Sequence, residues 1–145
     1  MASIRQLLAP RLTAAAHCDI PCGIYDPTAA KTAADTVAKM VEKIEGFAKE
    51  ITSAQGAAEI TARNNFVRAV HVKEEHAQIC KQELLILWTD YFKPEHLAKH
   101  PDLHDTFWKA AKLCSKNKQS VDAKAAADLQ AAVKAISDIF TATKT

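Results

Sequence analysis

Glycine is scarce in this sequence: only three of its 145 residues are glycine. Alanine is abundant instead, and this balance favours helices over sheets. The sequence also lacks any run of about 18 apolar residues, the length that a membrane-spanning helix needs. Hydrophobic residues nevertheless make up 48% of the chain, which is enough to form the core of one domain of this length.

Most of the chain also has no excess of positive or negative charge. The formal net charge is +2, and Arg5 and Arg11 account for it, because residues 1–16 contain no acidic side chain. The rest of the chain carries as many basic as acidic residues, 17 of each. There is no basic patch interleaved with aromatic residues, so nucleic-acid binding has little support in the sequence.

Four stretches have the periodicity of amphipathic helices, with apolar residues recurring every three and four positions. The predicted helices cover approximately 28–52, 58–91, 102–116 and 121–143. Asp26 is the expected N-cap of the first, with Pro27 in its first position, and Ser120 is the expected cap of the fourth. The short connections predict an all-α fold, an antiparallel up-and-down four-helix bundle.

Three segments carry expectations about burial. The polar segment 115–120 is expected to be a loop, and the charged run 73–75 is expected to be a solvated helix face. The apolar segment 84–88 is expected to be buried on several sides or to lie in a subunit interface.

Several potential metal ligands lie within the helical sequence. Cys80 and Cys114 occur singly, and we predict that both are small core residues. His96, His100 and His104 are spaced by four residues, but a proline interrupts that helix, so surface or capping positions are favoured over a metal site. Four cysteines are an even number, yet the chain is too long and alanine-rich for a disulfide scaffold.

Residues 1–16, MASIRQLLAPRLTAAA, have the features of a cleavable leader. They contain arginine and serine, no acid, and small residues at the end. Two arginines and a proline interrupt the apolar part, which argues against a secretory signal. We expect a leader at 1–16, a domain at 17–145 and a cytoplasmic location. An organelle transit peptide and a frayed N-terminal tail are the alternatives that the composition leaves open.

Most of the ligand chemistry lies in the stretch AAAHCDIPCGIYDP, residues 14–27. Two cysteines separated by three residues can bind one metal, and thiolates suit copper(I), zinc, iron–sulfur clusters or nickel. A closed zinc site normally needs four protein ligands, and no second cysteine pair is present. A square-planar set of nitrogen and sulfur donors indicates nickel(II) or copper(II) instead. The alternative is a tail with two incidental cysteines or one disulfide.

If the chain were cut between Ala16 and His17, the new N-terminus would supply the nitrogen donors that such a set needs. The free amine of His17 and the backbone amide of Cys18 could then bind the metal in one plane with the thiolates of Cys18 and Cys22, and the His17 imidazole could approach along the axis. While Ala16 remains attached, the His17 nitrogen is an amide and a poor ligand. The site is therefore expected to stay unassembled until the leader is removed.

The stretch HCDIPCGIYDP, residues 17–27, resembles the nickel-binding hook of the nickel superoxide dismutase family, and we call it the hook. LWTDYFKPEH at 87–96 and HPDLH at 100–104 resemble the same family. The resemblance extends from His17 to the end of the sequence. It implies a helical bundle with a cleaved leader, which carries one nickel ion per subunit and converts superoxide to dioxygen and hydrogen peroxide by Ni(II)/Ni(III) cycling.

The resemblance also implies site residues and partners. The nickel ligands are His17, through its amine and imidazole, Cys18, through its amide and thiolate, and Cys22, through its thiolate. Tyr25 resembles the tyrosine that lines the approach to the metal, and Tyr91 resembles a residue near the site, as does Lys93. The implied partners are a leader-processing protease and further copies of the chain, arranged as a homohexamer with the hooks near subunit contacts.

Two positions depart from the family pattern. Some members have an arginine where this chain has His76, and some have a glutamate near Ala33. Those side chains orient the axial histidine by hydrogen bonding, and His76, with Glu74 or Glu75 beside it, is expected to substitute. The rival interpretation is a helical protein that uses the same ligands to carry or store nickel or copper without turnover.

Overall fold

The computed structural model describes residues 23–144, and all regular structure in that range is helical. The helices are α1 (Thr28–Ser53), α2 (Ala57–Ile86), α3 (Pro94–Lys99), α4 (Leu103–Gln119) and α5 (Ala123–Thr143), and a π-helical turn, Leu87–Tyr91, extends α2. The four long helices correspond to the four predicted ones, with ends displaced by a few residues. None of the described helices is both long and apolar enough to cross a membrane.

The long helices run antiparallel. Lys73 near the middle of α2 contacts Asn117 at the end of α4, whereas Trp88, just beyond α2, stacks on Phe107 near the start of α4. Residue numbers therefore increase along α2 in the direction in which they decrease along α4. Each long helix packs on two neighbours, α1 on α2 and α5, and α4 on α2 and α5. The predicted up-and-down four-helix bundle is confirmed.

The bundle core combines small alanines with larger apolar side chains, so the helices approach one another closely. The larger buried members include Val37, Val41, Leu84, Leu103, Phe107, Leu129, Val133, Ile136 and Phe140. Cys80 and Cys114 are fully buried among them, as predicted.

Part of the predicted apolar stripe of α2 is exposed instead. Ile60 and Val67 are 70% and 65% exposed. The reason is length: α2 has 30 residues and α4 has 17, and the end of α4 already lies beside Lys73. The first turns of α2 therefore extend past α4 and pack on α1. Trp108 of α4 is also an exposed apolar side chain, with 54% of its surface accessible to solvent.

The expected loop at 115–120 is wrong, because α4 continues through residue 119. Its polar residue Asn117 is fully buried, and the side-chain amide donates a hydrogen bond to the carbonyl of Ala125 at 2.9 Å. Ser120 terminates α4 rather than capping α5. The cap of α5 is Asp122, whose carboxylate accepts the backbone N–H of Ala125 at 3.0 Å.

The expectation of a solvated face at 73–75 is also wrong for Lys73, whose side chain is buried, although the two glutamates after it are exposed. The Lys73 ammonium donates to the carbonyls of Asn117, Lys118 and Ser120. These carbonyls lie at the end of α4, where helical partners run out and a cation is favoured. Burial lowers the pKa of the Lys73 ammonium, with a smaller opposing effect from Glu74.

Replacing Lys73 by methionine should destabilise the bundle, because it leaves the buried end of α4 without its donor. We expect Lys73→Met to lower the free energy of unfolding by about 3 kcal/mol, measured by urea denaturation followed by circular dichroism. Lys134→Met is the matched control, since Lys134 is exposed and pairs with Asp138 on the surface of α5. Equal losses in the two variants would contradict the role given to Lys73.

Candidate metal centre

The described chain begins beside a cavity of about 330 Å³ at one end of the bundle. We call it the tyrosine cavity. It is lined by Gly23, Tyr25, Asp90, Tyr91, Lys93, His96 and Thr143. These residues come from the segment before α1, the π-helical turn, the start of α3 and the end of α5. Four elements therefore converge where the hook joins the bundle.

The hook joins the bundle through a sharply turned backbone. Gly23 has a φ of 71°, a left-handed conformation that glycine adopts without the strain that a side chain imposes. Three residues later, the carboxylate of Asp26 accepts the backbone N–H of Thr28 at 2.6 Å. Hydrogen bonds from Thr28 lower the pKa of Asp26, and nearby Lys144 adds to the effect. Asp26 thus bonds to the first turn as predicted, but α1 begins at Thr28 and the N-cap position falls on Pro27, one residue later than predicted.

Tyr91, which lines the cavity, is the last residue of the π-helical turn. The backbone N–H of Phe92 donates to the carbonyl of Leu87 at 3.3 Å, five residues back. Such a turn inserts one residue into the helix and rotates the residues after it by about 100°. This feature was not predicted, because an apolar run before a proline indicates only where a helix ends. π-Helical turns are frequent at functional sites.

The two tyrosines of the chain meet at this cavity. Their ring centroids lie 5.7 Å apart, with the planes inclined at 57°. The ring of Tyr91 also packs against Phe140 at 4.4 Å and lies nearly parallel to the imidazole of His96 at 5.6 Å. The structure thus brings together Tyr25 and Tyr91, which were singled out from two distant sequence motifs. Their roles in catalysis remain predictions.

Lys93 and His96 also line the cavity. The backbone N–H of Lys93 donates to Nδ1 of His96 at 3.1 Å. Because Nδ1 accepts a hydrogen bond, a neutral His96 carries its proton on Nε2. The exposed Lys93 side chain adds positive charge, and Asp90 adds negative charge, to the same cavity.

Two further histidines have partners within the protein. The indole N–H of Trp88 donates to Nδ1 of His104 at 2.8 Å. The Nδ1 atom of His76 lies 2.9 Å from the carbonyl oxygen of Val72. Across residues 23–144, no group of three or more histidine, cysteine or carboxylate side chains is arranged to hold a metal. His76 lies about 22 Å along the helix from Tyr91, at a different level of the bundle.

The three predicted ligands His17, Cys18 and Cys22 lie outside the described residues. In the sequence, Cys22 immediately precedes Gly23, which lines the tyrosine cavity. The predicted orienting role of His76 also depends on His17, and it stays a prediction.

The chemistry of the donor set fits nickel. As predicted ligands, Cys18 and Cys22 would supply two soft thiolates and His17 would supply nitrogen, the combination that suits a square-planar divalent ion. The remaining thiols do not compete, because Cys80 and Cys114 are fully buried in the core. A hydrogen bond with Cys114 and burial together raise the pKa of the Cys80 thiol, which keeps it protonated.

Comparison with known proteins gives the same indication. Residues 12–144 match a family described as nickel-containing superoxide dismutase. Proteins named superoxide dismutase (Ni) from Streptomyces coelicolor and Streptomyces seoulensis are each 37% identical over 119 residues, covering 82% of this chain and 81% of theirs. A solved native structure of nickel superoxide dismutase is 32% identical, with a TM-score of 0.73, and the match covers 89% of this chain and 100% of that chain.

Proposed function

The chain belongs to the nickel-containing superoxide dismutase family, and on that premise we propose that it becomes active when cleavage makes His17 the N-terminus. It is a superoxide dismutase, an oxidoreductase with nickel as its cofactor. The reaction consumes two superoxide anions and two protons and yields dioxygen and hydrogen peroxide. One anion is oxidised and the other is reduced.

The proposed nickel ligands are three residues of the hook. His17 contributes its amine and imidazole, Cys18 its amide and thiolate, and Cys22 its thiolate. What nickel supplies in this set is one-electron exchange between Ni(II) and Ni(III), which thiolate and amidate donors favour by stabilising the oxidised state.

The observation that carries the proposal is the convergence at the tyrosine cavity. The chain reaches the rim of the cavity at Gly23, one residue after the proposed ligand Cys22, and the two tyrosines pack together there. Their rings narrow the approach, which favours a small diatomic anion over larger molecules. A protein that only stores metal has no need for such an approach.

The side chains around the cavity suit a reaction that consumes an anion and protons. Lys93 lines the cavity and the ammonium of Lys144 donates to the carbonyl of Tyr25, so both residues add positive charge that favours the approach of an anion. The Nε2–H of His96 and the tyrosine hydroxyls are groups that can exchange protons at the cavity wall. We propose that Tyr25 and Tyr91 restrict access and take part in proton delivery.

A chain that begins at His17 and is loaded with nickel should consume superoxide. The measurement is superoxide decay after pulse radiolysis, with the same protein freed of metal and the same protein loaded with zinc as controls. Only the nickel form is expected to accelerate the decay. One tightly bound nickel per chain without turnover would contradict the proposal and favour a carrier of nickel.

Assembly and processing belong to the same proposal. We propose a homohexamer, a protease that removes residues 1–16, and a cytoplasmic location. Exposed apolar side chains support assembly, because Ile60 and Val67 lie on the part of α2 that extends past α4. In the segment 84–88, Leu84 and Leu87 are buried, whereas Leu85 is 38% exposed.

A further inference from the structure

The last turn of α5 contacts both tyrosines of the cavity. The hydroxyl oxygens of Tyr91 and Thr143 are 2.9 Å apart, and the ammonium of Lys144 donates to the backbone carbonyl of Tyr25 at 3.2 Å. We propose that Thr143 and Lys144 are positioning residues that hold the tyrosine pair for the superoxide reaction. We call these two residues the clamp. The inference rests on the function proposed above.

Thr143 fixes the direction of the Tyr91 hydroxyl hydrogen. The Thr143 hydroxyl donates to the carbonyl of Phe140 at 2.7 Å, and a carbonyl can only accept. The only hydroxyl hydrogen of Thr143 is therefore already used in this bond. Tyr91 must be the donor in the contact between the two hydroxyls. Toward any other partner, Tyr91 then acts as an acceptor.

The same helix also fixes the plane of the Tyr91 ring. Phe140 packs against it with centroids 4.4 Å apart, and Phe140 is buried in the core. One side of the ring is thus fixed by packing, and its hydroxyl is fixed by a hydrogen bond. Thr143→Val removes the hydroxyl, and with it the hydrogen bonds to Tyr91 and to the Phe140 carbonyl, but valine has nearly the shape of threonine and leaves the Phe140 ring in place.

Lys144 fixes the backbone at the base of the hook. Its ammonium lies 4.5 Å from the centroid of the Phe140 ring, in a cation–π contact, while it donates to the carbonyl of Tyr25. The carboxylate of Asp26 is close enough for Lys144 to lower its pKa. The carbonyl that Lys144 holds lies two residues after Gly23, so this contact sets the point where the hook leaves the bundle.

The chain offers a direct probe of the clamp, because Tyr25 and Tyr91 are its only tyrosines. Incorporation of 3-fluorotyrosine into the full, metal-free chain should give two ¹⁹F NMR resonances, assigned with Tyr25→Phe and Tyr91→Phe. Thr143→Val should shift the Tyr91 resonance, and Thr143→Ser should restore it. Lys144→Met should shift the Tyr25 resonance, and Lys144→Arg should shift it less.

Matched controls lie on the same helix. Thr141 is exposed, and its hydroxyl donates to the carbonyl of Ser137 within α5. Lys134 is exposed and pairs with Asp138. Thr141→Val and Lys134→Met should leave both resonances and the rate unchanged. They separate a loss of the clamp from a general effect on α5.

The second measurement is the rate of the processed, nickel-loaded enzyme. Thr143→Val should lower kcat/KM for superoxide about tenfold, the order of effect expected for loss of the hydrogen bond to Tyr91, while nickel content stays unchanged. Thr143→Ser should recover the rate. An unmoved Tyr91 resonance in Thr143→Val, or a moved resonance with the wild-type rate, would overturn the clamp alone. A wild-type processed enzyme without turnover would overturn the proposed function as well.

Discussion

A chain that keeps a single residue in front of His17 is expected to lose nearly all dismutase activity. The extra residue converts the His17 amine into an amide, whose nitrogen is a poor ligand. Loss of a partner outside the ligand set typically costs about 10–100-fold in metal affinity or activity, so loss of a ligand should cost at least about 100-fold. The measurement compares superoxide decay rates for chains beginning at His17 and at Ala16, after nickel loading.

The control for this comparison is a chain that begins at His17 and carries one added residue after Thr145. It has the same length as the extended chain and keeps the amine free, so it should retain full activity. Equal activity of the chains beginning at Ala16 and at His17 would rule out the N-terminal amine as a ligand. The full chain with residues 1–16 should likewise be inactive until it is cleaved.

Cys22→Ser should abolish nickel binding without unfolding the bundle. A serine hydroxyl is a hard, protonated donor that does not replace a thiolate. Nickel content, measured by elemental analysis, should fall to near zero, and superoxide decay should equal that of the metal-free protein. The helical circular-dichroism signal should be unchanged, because Cys22 precedes every helix of the described structure.

Cys80→Ser should instead lower the stability of the bundle and leave nickel binding intact. Cys80 is fully buried in the core, so a hydroxyl there should destabilise the bundle by about 1–3 kcal/mol while nickel still binds. The pair of variants therefore separates the proposed metal ligand Cys22 from the core residue Cys80. If Cys22→Ser unfolds the chain instead, the hook is a structural element and the ligand assignment is wrong.

The long helices were predictable because their apolar residues repeat regularly, and the fold buries the repeating face. The failures at Lys73 and at 115–120 share one cause. Polar residues in a sequence suggest exposure to solvent. In the structure, however, Lys73 of α2 donates to a carbonyl at the end of α4, and Asn117 of α4 donates to a carbonyl of α5. Those partners exist only after the helices have packed, so no local pattern contains them.

The candidate site likewise has some features that the sequence predicts and others that it does not. The candidate ligands lie within six consecutive residues, so their chemistry can be interpreted from the sequence alone. The contact of Tyr25 with Tyr91 required a motif from a known family, because the two residues belong to distant parts of the chain. The clamp and the π-helical turn carried no sequence signal, since Thr143 and Lys144 are ordinary residues that acquire their role from position.

The contact between Lys144 and the carbonyl of Tyr25 joins residues 119 positions apart. Closing so long a stretch of chain is entropically costly, and such contacts form late in folding. The base of the hook is therefore completed only after the intervening helices have assembled. A chain whose helices have not yet packed lacks this contact, so we expect a reactive nickel site to form only when the whole fold is complete.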